Sequence, residues 1–396
     1  MTFFICMNIG IFTDCYLPTK NGVTTAIVQA RQELERRGHK VVVCTVANPG
    51  YLERDPGVYR FPSLPFNARI ELRLGLARQG AIDRIVAREK LDLIHTHTEF
   101  SLGWAGKRAA RGASLPLVHT LHTFYPAYRH YLPLGRLLPA RAINRLLARL
   151  LADCDAVICP SEKGRAYVAS CLPASRTVVI GNGVSQKRFN PERVTQADRD
   201  RTRAALGIEP DDRVILYVGR LAQEKRVLGL LAALRPLLAA DASCRAVFVG
   251  AGPARDDLAA AARAAGLGRQ VLLTGPVPWE RMVELYAIAH VFTTASLSEV
   301  HPMTLIEAAM CGLPIVARRD VSFVGLVKDG YNGFLVDSDR AIAGMLADIL
   351  HDETTRRAFA SNARSLSAQF TVESHVDRLE ELYRQVIDNR SRGVSQ

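Results

Sequence analysis

Short Val- and Ile-rich runs alternate with longer stretches of helical spacing through both halves of this chain, and that rhythm restricts it to parallel sheets with helices on both faces. Strands are expected near residues 8–13, 41–45, 92–96, 116–120, 156–159 and 177–180 in the first half. The second half offers 213–218, 245–249, 270–273, 290–293, 314–317 and 333–336. Between the two sets lies G-N-G-V-S-Q-K-R-F-N-P-E-R-V-T-Q-A-D, polar and broken by Gly181, Gly183 and Pro191. At 396 residues the chain is also too long for one ordinary domain. The expected fold class is therefore α/β, with two tandem Rossmann-like doubly wound domains facing a cleft. Residues 1–181 make the first domain, 182–212 a linker, 213–372 the second domain, and 373–396 a C-terminal helix crossing back to the first. Met7 opens M-N-I-G-I-F-T-D, a self-sufficient first strand, so residues 1–6 are expected to be an overextended start. Doubly wound sheets bind ligands outside the carboxyl ends of their strands, which makes the cleft the expected site.

The most specific local pattern is S-L-S-E-V-H-P-M-T-L-I-E-A-A-M-C-G-L-P-I-V-A, residues 296–317. Val291 and Phe292 read as a buried strand, Ser296 to Pro302 as a loop, and Met303 onward as a helix ending at Gly312. Glu299 then lies just before the helix and Glu307 about one turn inside it. A helix N-terminus gathers unpaired N–H groups and roughly half a positive charge, so a phosphate can sit there without a metal. Two acceptor-only carboxylates beside it can bind hydroxyls on either side of that phosphate, which describes a nucleotide sugar. The same spacing also fits a helix capped by Glu299 with Glu307 on a solvated face.

The second half begins V-I-L-Y-V-G-R-L-A-Q-E-K-R, a strand running out at Gly219 into Arg220 and Lys225. One forked and one compact cation at a strand's carboxyl end suit a diphosphate. In V-F-V-G-A-G-P-A-R, Gly250 and Gly252 start like a dinucleotide fingerprint, but Arg255 holds the third glycine's place. In the first half D-C-Y-L-P-T-K-N-G-V-T-T-A leads into a helix, with Gly22 where a ligand would need close backbone approach. L-I-H-T-H-T-E-F sets His95, His97 and Glu99 on one face of an extended segment, and V-H-T-L-H-T-F-Y adds His119 and His122. Zinc would want second-shell carboxylates that this acid-poor stretch lacks, so no metal is expected and His122 is assigned as a hydrogen-bonder in the cleft. Three D-x-D pairs occur, Asp153 with Asp155, Asp198 with Asp200, and Asp337 with Asp339. None falls where it could hold a cation on a diphosphate, and the helix N-terminus, Arg220 and Lys225 can meet the leaving group's charge instead.

Charge is distributed unevenly. Residues 1–200 hold 28 basic and 16 acidic side chains, so the whole net charge of +12 lies in the first half. No acidic residue occurs between Glu99 and Asp153. Such a one-sided field implies an anionic partner, nucleic acid or a membrane surface. In G-R-L-L-P-A-R-A-I-N-R-L-L-A-R-L-L, Arg141, Arg145 and Arg149 recur every fourth residue; a second basic amphipathic stretch, residues 66–88, carries Arg69 and Arg73. These five arginines are the candidate membrane-binding residues. Nucleic-acid binding would want aromatics among the arginines, and 136–151 has none, so no nucleic-acid partner is expected. The eight cysteines form no C-x-x-C pair and no zinc spacing, which favours a reducing cytoplasm. No apolar run reaches the ~18 residues of a transmembrane helix.

At this point the residues resemble a known family. S-E-V-H-P-M-T-L-I-E-A-A-M-C-G-L-P-I-V-A is similar to the E-x7-E motif of retaining glycosyltransferases with the GT-B fold, G-R-L-A-Q-E-K to their G-R-L-x-x-E-K phosphate clamp, and I-G-N-G-V-S-Q-K-R-F-N-P to their interdomain N-G-V segment. T-D-C-Y-L-P-T-K-N-G-V, H-T-H-T-E-F and H-T-F-Y-P-A-Y-R-H-Y look most like the bacterial transferases that glycosylate diacylglycerol. The resemblance implies that Arg220 and Lys225 bind the diphosphate, Glu299 the sugar hydroxyls and Glu307 the ribose. It implies that Gly22 and His122 complete the donor site and that the Val277 backbone borders the nucleobase. His122 and Glu299 are the expected catalytic residues. Many members carry Gly-Leu or Gly-Phe where this chain has Pro302 and Met303, so amide contacts must come from Met303 or Thr304. The implied activity is transfer of a hexose, glucose or galactose, from a nucleotide diphosphate sugar such as UDP-glucose to a lipid such as diacylglycerol, with retention and without metal or other cofactor. The enzyme would be cytoplasmic and peripheral on the inner face of the cell membrane. A same-fold transferase with a soluble or polysaccharide acceptor and a non-catalytic sugar-nucleotide sensor fit the same residues.

Overall fold

A computed structural model of the chain describes residues 6–67, 71–128, 140–172 and 176–393. It divides into two compact units, Met1–Gly183 with Val372–Gln396, and Val184–Thr371. In the first unit the strands are β1 (Asn8–Phe12), β2 (Lys40–Val46), β3 (Val58–Phe61), β4 (Ser63–Asn67), β5 (Leu72–Gly75), β6 (Leu93–Thr96), β7 (Leu117–Thr120), β8 (Ala156–Cys159) and β9 (Thr177–Val179). Seven of them form one parallel sheet in the order β3-β2-β1-β6-β7-β8-β9, while β4 and β5 pair as an antiparallel hairpin. The second unit carries β10 (Arg213–Val218), β11 (Cys244–Val249), β12 (Val271–Gly275), β13 (Val291–Thr294), β14 (Ile315–Arg318) and β15 (Gly333–Val336), a parallel sheet in the order β12-β11-β10-β13-β14-β15.

Both sheets reverse their direction of growth at an inner pair of strands, β1 with β6 in the first unit and β10 with β13 in the second. Phe12 lies beside Thr96 in one register, and Leu216 beside Phe292 in the other. The loops leaving such a pair go to opposite faces, so a crevice opens at their carboxyl ends, where doubly wound sheets bind ligands.

Continuous apolar runs such as V-V-V-C-T-V in β2 are buried on both faces, as sheets covered twice by helices require. One face of the first sheet packs Ile9, Ile11, Val41 and Val43 against Ile27 and Leu34 of the helix Gly22–Arg36 and against the C-terminal helix Val372–Ser391. That last helix contributes Val372, Val376, Leu379, Leu382, Tyr383 and Val386, an i, i+3, i+4 stripe facing inward. Each such side chain, fully buried, stabilises by about 1.5–3 kcal/mol before entropy is subtracted. The C-terminal helix is thus part of the core of the first unit.

Three elements differ from the sequence reading. Residues 184–212, expected as most of a linker, belong to the second unit; there the helix Gln196–Ala205 starts with a Thr195–Asp198 capping box. Val58–Phe61 adds an edge strand to the first sheet. The stretch 66–88, read as one amphipathic segment, divides into the β4–β5 hairpin and the helix Gln79–Glu89. In that hairpin Arg73 Nε donates to Ser63 Oγ at 2.8 Å and its terminal nitrogen to the Ser63 carbonyl at 3.0 Å. Arg73 therefore staples β5 to β4. Arg69 lies outside the described residues. Among the described residues no helix is long and apolar enough to cross a membrane.

Candidate active site

The second unit builds its site on three strand exits. β10 runs out into Gly219, whose N–H donates to the Val249 carbonyl at 3.0 Å, and Leu221 N–H donates to the Ala251 carbonyl at 2.9 Å. The exits of β10 and β11 thus run backbone against backbone. Gly250 (φ +134°) leaves no room for a side chain, since a Cβ there would stand 2.1 Å from the Gly219 carbonyl oxygen. This rigid double exit presents Arg220, whose carbonyl accepts from the Tyr217 hydroxyl at 3.1 Å, and the short turn Gln223–Lys225.

Across the switch point, β13 leads through a buried Ser296 and Ser298 to Glu299, and the helix Met303–Met310 begins after Pro302. Lys225 Nζ lies 2.6 Å from Glu299 Oε1, a half-buried ion pair that spans the exits of β10 and β13. Pro302 offers no N–H, so the first donors of this helix are the amides of Met303 and Thr304, which as its first residues stand outside the i to i−4 ladder.

Glu307 is walled in, 6% exposed, and its Oε2 accepts from the Tyr286 hydroxyl at 2.7 Å. Burial pushes its carboxyl up to about 7, only partly offset by the Tyr286 hydroxyl and the Arg188 charge. The picture of Glu307 on a solvated helix face is thereby excluded. Because the folded protein holds this proton more tightly than the unfolded chain, its contribution to stability is full below about pH 4.5 and falls as pH rises to about 7, by about 3 kcal/mol. Arg188 lies flat on Trp279 at 3.4 Å from the ring centroid, and Phe189 meets Tyr286 edge-on at 5.7 Å. Half-buried Val277 sits at the carboxyl end of β12, two residues before Trp279. Sequence reasoning missed Arg188 and Tyr286, which are far from Glu307 in the chain; the only signal was the Arg-Phe pair of the N-G-V segment.

The first unit builds on its own switch point. Asp14, 2% exposed, follows β1 and accepts from Thr98 Oγ1 at 2.7 Å, while Asp14 N–H donates to the same hydroxyl at 2.9 Å. Asp14 also accepts the Leu102 N–H at the start of the helix Ser101–Gly112, which locks the exits of β1 and β6 together. Asn21 caps the helix Gly22–Arg36 by accepting from Thr24 N–H at 2.9 Å. Gly22 is its first residue, exposed, with nothing within 4 Å of where a Cβ would stand, so the space before this helix is open although its backbone does not demand glycine.

The His95 and His97 rings lie tilted at 35° with centroids 4.0 Å apart, and His97 Nδ1 shares a 3.0 Å hydrogen bond with His122 Nε2. Glu99 does not join that face: it accepts from the Tyr125 hydroxyl at 2.6 Å and lies 3.4 Å from His119, because β6 ends at Thr96 and the chain turns. Burial drives His122 down to about 3 and holds it neutral. Among the described residues no group of three or more His, Cys, Asp and Glu side chains could hold a metal ion.

Comparison with known proteins agrees with this geometry. Residues 20–188 match Glycosyltransferase Family 4 and residues 198–366 match Glycosyl transferases group 1. The chain is 32% identical to an alpha-monoglucosyldiacylglycerol synthase of Streptococcus pneumoniae over 87% of its length and 78% of the relative's. The chain belongs to the glycosyltransferases. A second alpha-monoglucosyldiacylglycerol synthase, from Acholeplasma laidlawii, is 29% identical over 98% of this glycosyltransferase and 100% of the relative. The crystal structure of Anabaena HepE in complex with UDP and glucose superposes with a TM-score of 0.78 at 22% identity, covering 96% and 100% of the two chains, so the fold is GT-B.

The three D-x-D pairs of the glycosyltransferase are all engaged elsewhere. Asp339 pairs with Arg226 and, at 3.3 Å, with Arg318; Asp337 pairs with Arg319 at 2.7 Å. Asp155 accepts from Leu117 N–H at 2.7 Å, and Asp153 pairs with Lys107 at 3.2 Å. Asp198 closes its capping box, and Asp200 accepts from Gln196 at 2.8 Å. In the helix Ala140–Leu151, Arg141, Arg145 and Arg149 are exposed along with Leu146, while Leu147, Leu150 and Leu151 face the core.

Proposed function

We propose that this glycosyltransferase moves a hexose from a UDP-hexose, glucose first among candidates, to a diacylglycerol-type lipid at the cytoplasmic face of the membrane, with retention and without metal. The Lys225–Glu299 pair at the β10/β13 switch point carries the proposal. It is a cation and a carboxylate already set at hydrogen-bonding distance, so an entering diphosphate sugar can exchange partners with both at once. Lys225 and Arg220 turn to the phosphate oxygens, and Glu299 turns to sugar hydroxyls. Glu307 takes the ribose and the Val277 backbone borders the base. Gly22 and His122 are assigned to the donor as the family resemblance implies. The acceptor class is supported by the two glucosyldiacylglycerol synthases and by the exposed arginine row of Ala140–Leu151.

In the reaction the acceptor hydroxyl approaches the anomeric carbon on the face the diphosphate leaves. The bond to the phosphate oxygen breaks as the new bond forms, and that oxygen takes the acceptor's proton. The electrostatic burden is the charge growing on the leaving diphosphate, which Arg220, Lys225 and the Met303 and Thr304 amides meet. A panel of radiolabelled UDP- and GDP-sugars offered with diacylglycerol in mixed micelles tests the assignment. Labelled glycolipid from a UDP-hexose, with the donor's anomeric configuration retained, is expected; inversion or transfer only to soluble acceptors contradicts it.

Two further outcomes follow. Turnover is expected to survive excess EDTA, because fixed cations and helix amides meet the leaving charge; complete loss restored by Mg²⁺ or Mn²⁺ would overturn the metal-free assignment. Ribose hydroxyls donate to a carboxylate, so donor binding favours ionised Glu307, whose carboxyl is held at about 7. Affinity for UDP-glucose, measured calorimetrically, should therefore fall about tenfold from pH 8 to pH 6. The Glu307→Gln variant should bind more weakly and without that slope. A wild-type affinity flat across the window would remove Glu307 from the ribose.

A further inference from the structure

The ring of His122, assigned above to the donor, is held by a neighbouring side chain. Its Nε2 shares the 3.0 Å hydrogen bond with His97 Nδ1, and the two rings are nearly parallel at 19° with centroids 5.3 Å apart, an in-plane contact. His97 is 7% exposed, and its backbone N–H is fixed on the Phe12 carbonyl at 2.9 Å. The far nitrogen, His97 Nε2, is fully buried and has no hydrogen-bond partner among the described residues. His97 lines a cavity of about 20 Å³, shared with His95, Thr120, Asn182, His375 and Tyr383. That is room for one water, and polar groups line it from several sides.

Neighbouring rings do not compete for His97. His95 is saturated by the Tyr383 hydroxyl at 2.6 Å and Thr120 Oγ1 at 2.7 Å, and His375 Nδ1 is bound to the Gly181 carbonyl at 2.7 Å. Burial keeps His95, His97, His122 and His375 in their neutral forms. A neutral imidazole has one donor and one acceptor nitrogen, so the two linked rings share a single choice. If His97 donates through Nδ1, His122 must carry its proton on Nδ1, and His97 Nε2 asks the cavity for a donor. In the opposite arrangement His122 offers a bare Nδ1, and His97 Nε2 asks for an acceptor.

We propose that His97 is a positioning residue: through its bond to His122, and anchored by a single water in the adjoining cavity, it sets which tautomer His122 presents to the donor sugar. This rests on the assignment of His122 to the donor site. Burying an unpaired ring nitrogen is costly, so the water also explains why a histidine is tolerated where Ile11, Ala26, Ile27, Ala30 and Leu34 line the rest of the cavity.

The test combines a spectroscopic with a kinetic reading on the full chain. In ¹⁵N-histidine-labelled protein, long-range ¹H–¹⁵N correlations should show His122 as one tautomer, and His97→Leu should turn it into a mixture. With UDP-glucose, His97→Leu should lower kcat about tenfold while KM for the donor stays within about twofold. His97→Asn, whose amide replaces Nδ1, should recover most of that loss. In a His122→Ala background His97→Leu should cost nothing further, since the two act as one unit. An unchanged His122 tautomer in His97→Leu, or an equal loss with and without His122, overturns the proposal. Should His97→Leu not fold, the wild type decides, because a tautomer mixture there refutes it. The spectra need no turnover, so they read the linkage even if the donor assignment fails.

Discussion

Replacing Lys225 with alanine is expected to lower kcat/KM for the nucleotide sugar by about 10²-fold or more, with kcat falling and donor KM rising. The side chain is 2.6 Å from Glu299 and only partly exposed, so its loss removes a cation from the β10/β13 crevice. A contact that strengthens as the leaving diphosphate gains charge is felt more in the transition state than in the ground state, so kcat must fall with KM. Arg220→Ala should do the same. If Lys225 served only to neutralise Glu299, the double change Lys225→Ala with Glu299→Gln would restore turnover. Steady-state kinetics of the three variants settle the matter, and near-wild-type turnover in both single variants would take the diphosphate away from this crevice.

The strand pattern was legible because parallel strands buried on both faces leave unbroken Val/Ile runs, and twelve of the expected strands match observed ones. β3 was missed because V-Y-R-F is short and carries Arg60, an edge-strand habit. The β4–β5 hairpin was lost for a different reason: Pro65 and closely spaced arginines imitate a basic helix, and only the contact of Arg73 with Ser63 shows otherwise. The linker was drawn too long because polar residues and glycines mark the surface, and Thr195 with Asp198 turns part of that surface into a capped helix.

Within the site, Glu299, Glu307, Arg220 and Lys225 could be named from motif spacing, since each falls at or just beyond a strand end. What spacing could not supply was the environment. Glu307 is buried because Tyr286, from a helix that precedes β13, closes over it, and no local pattern links residues 286 and 307. The shared proton of His97 and His122 likewise depends on β6 and β7 lying side by side, which brings together residues 25 apart. The order of the strands, with growth reversing at β1/β6 and β10/β13, is a property of the assembled sheet and decides which loops meet.

Binding to anionic vesicles is the second large expected effect. The first unit holds 28 basic and 18 acidic residues, net +10, whereas Val184–Thr371 is near balance. On the helix Ala140–Leu151 the exposed Arg141, Arg145 and Arg149 accompany Leu146, which is 54% exposed, while Leu147, Leu150 and Leu151 hold the helix to the core. An outward row of arginines with an apolar side chain among them is the surface a peripheral protein lays on lipid headgroups. Each arginine near an anionic leaflet contributes about 1 kcal/mol, so changing all three to Gln should weaken vesicle binding about 100-fold at low salt. Wild-type binding should rise with anionic lipid content and decline as the Debye length shortens to about 8 Å at 0.15 M salt. Affinity for UDP-glucose should not change in the triple variant, because Arg220, Lys225, Glu299 and Glu307 belong to the other unit. Sedimentation with phosphatidylglycerol-containing vesicles measures the first quantity and calorimetry the second. A wild-type protein that ignores such vesicles at low salt would favour a soluble acceptor for the same donor chemistry, since nothing in the Lys225–Glu299 crevice itself depends on a membrane.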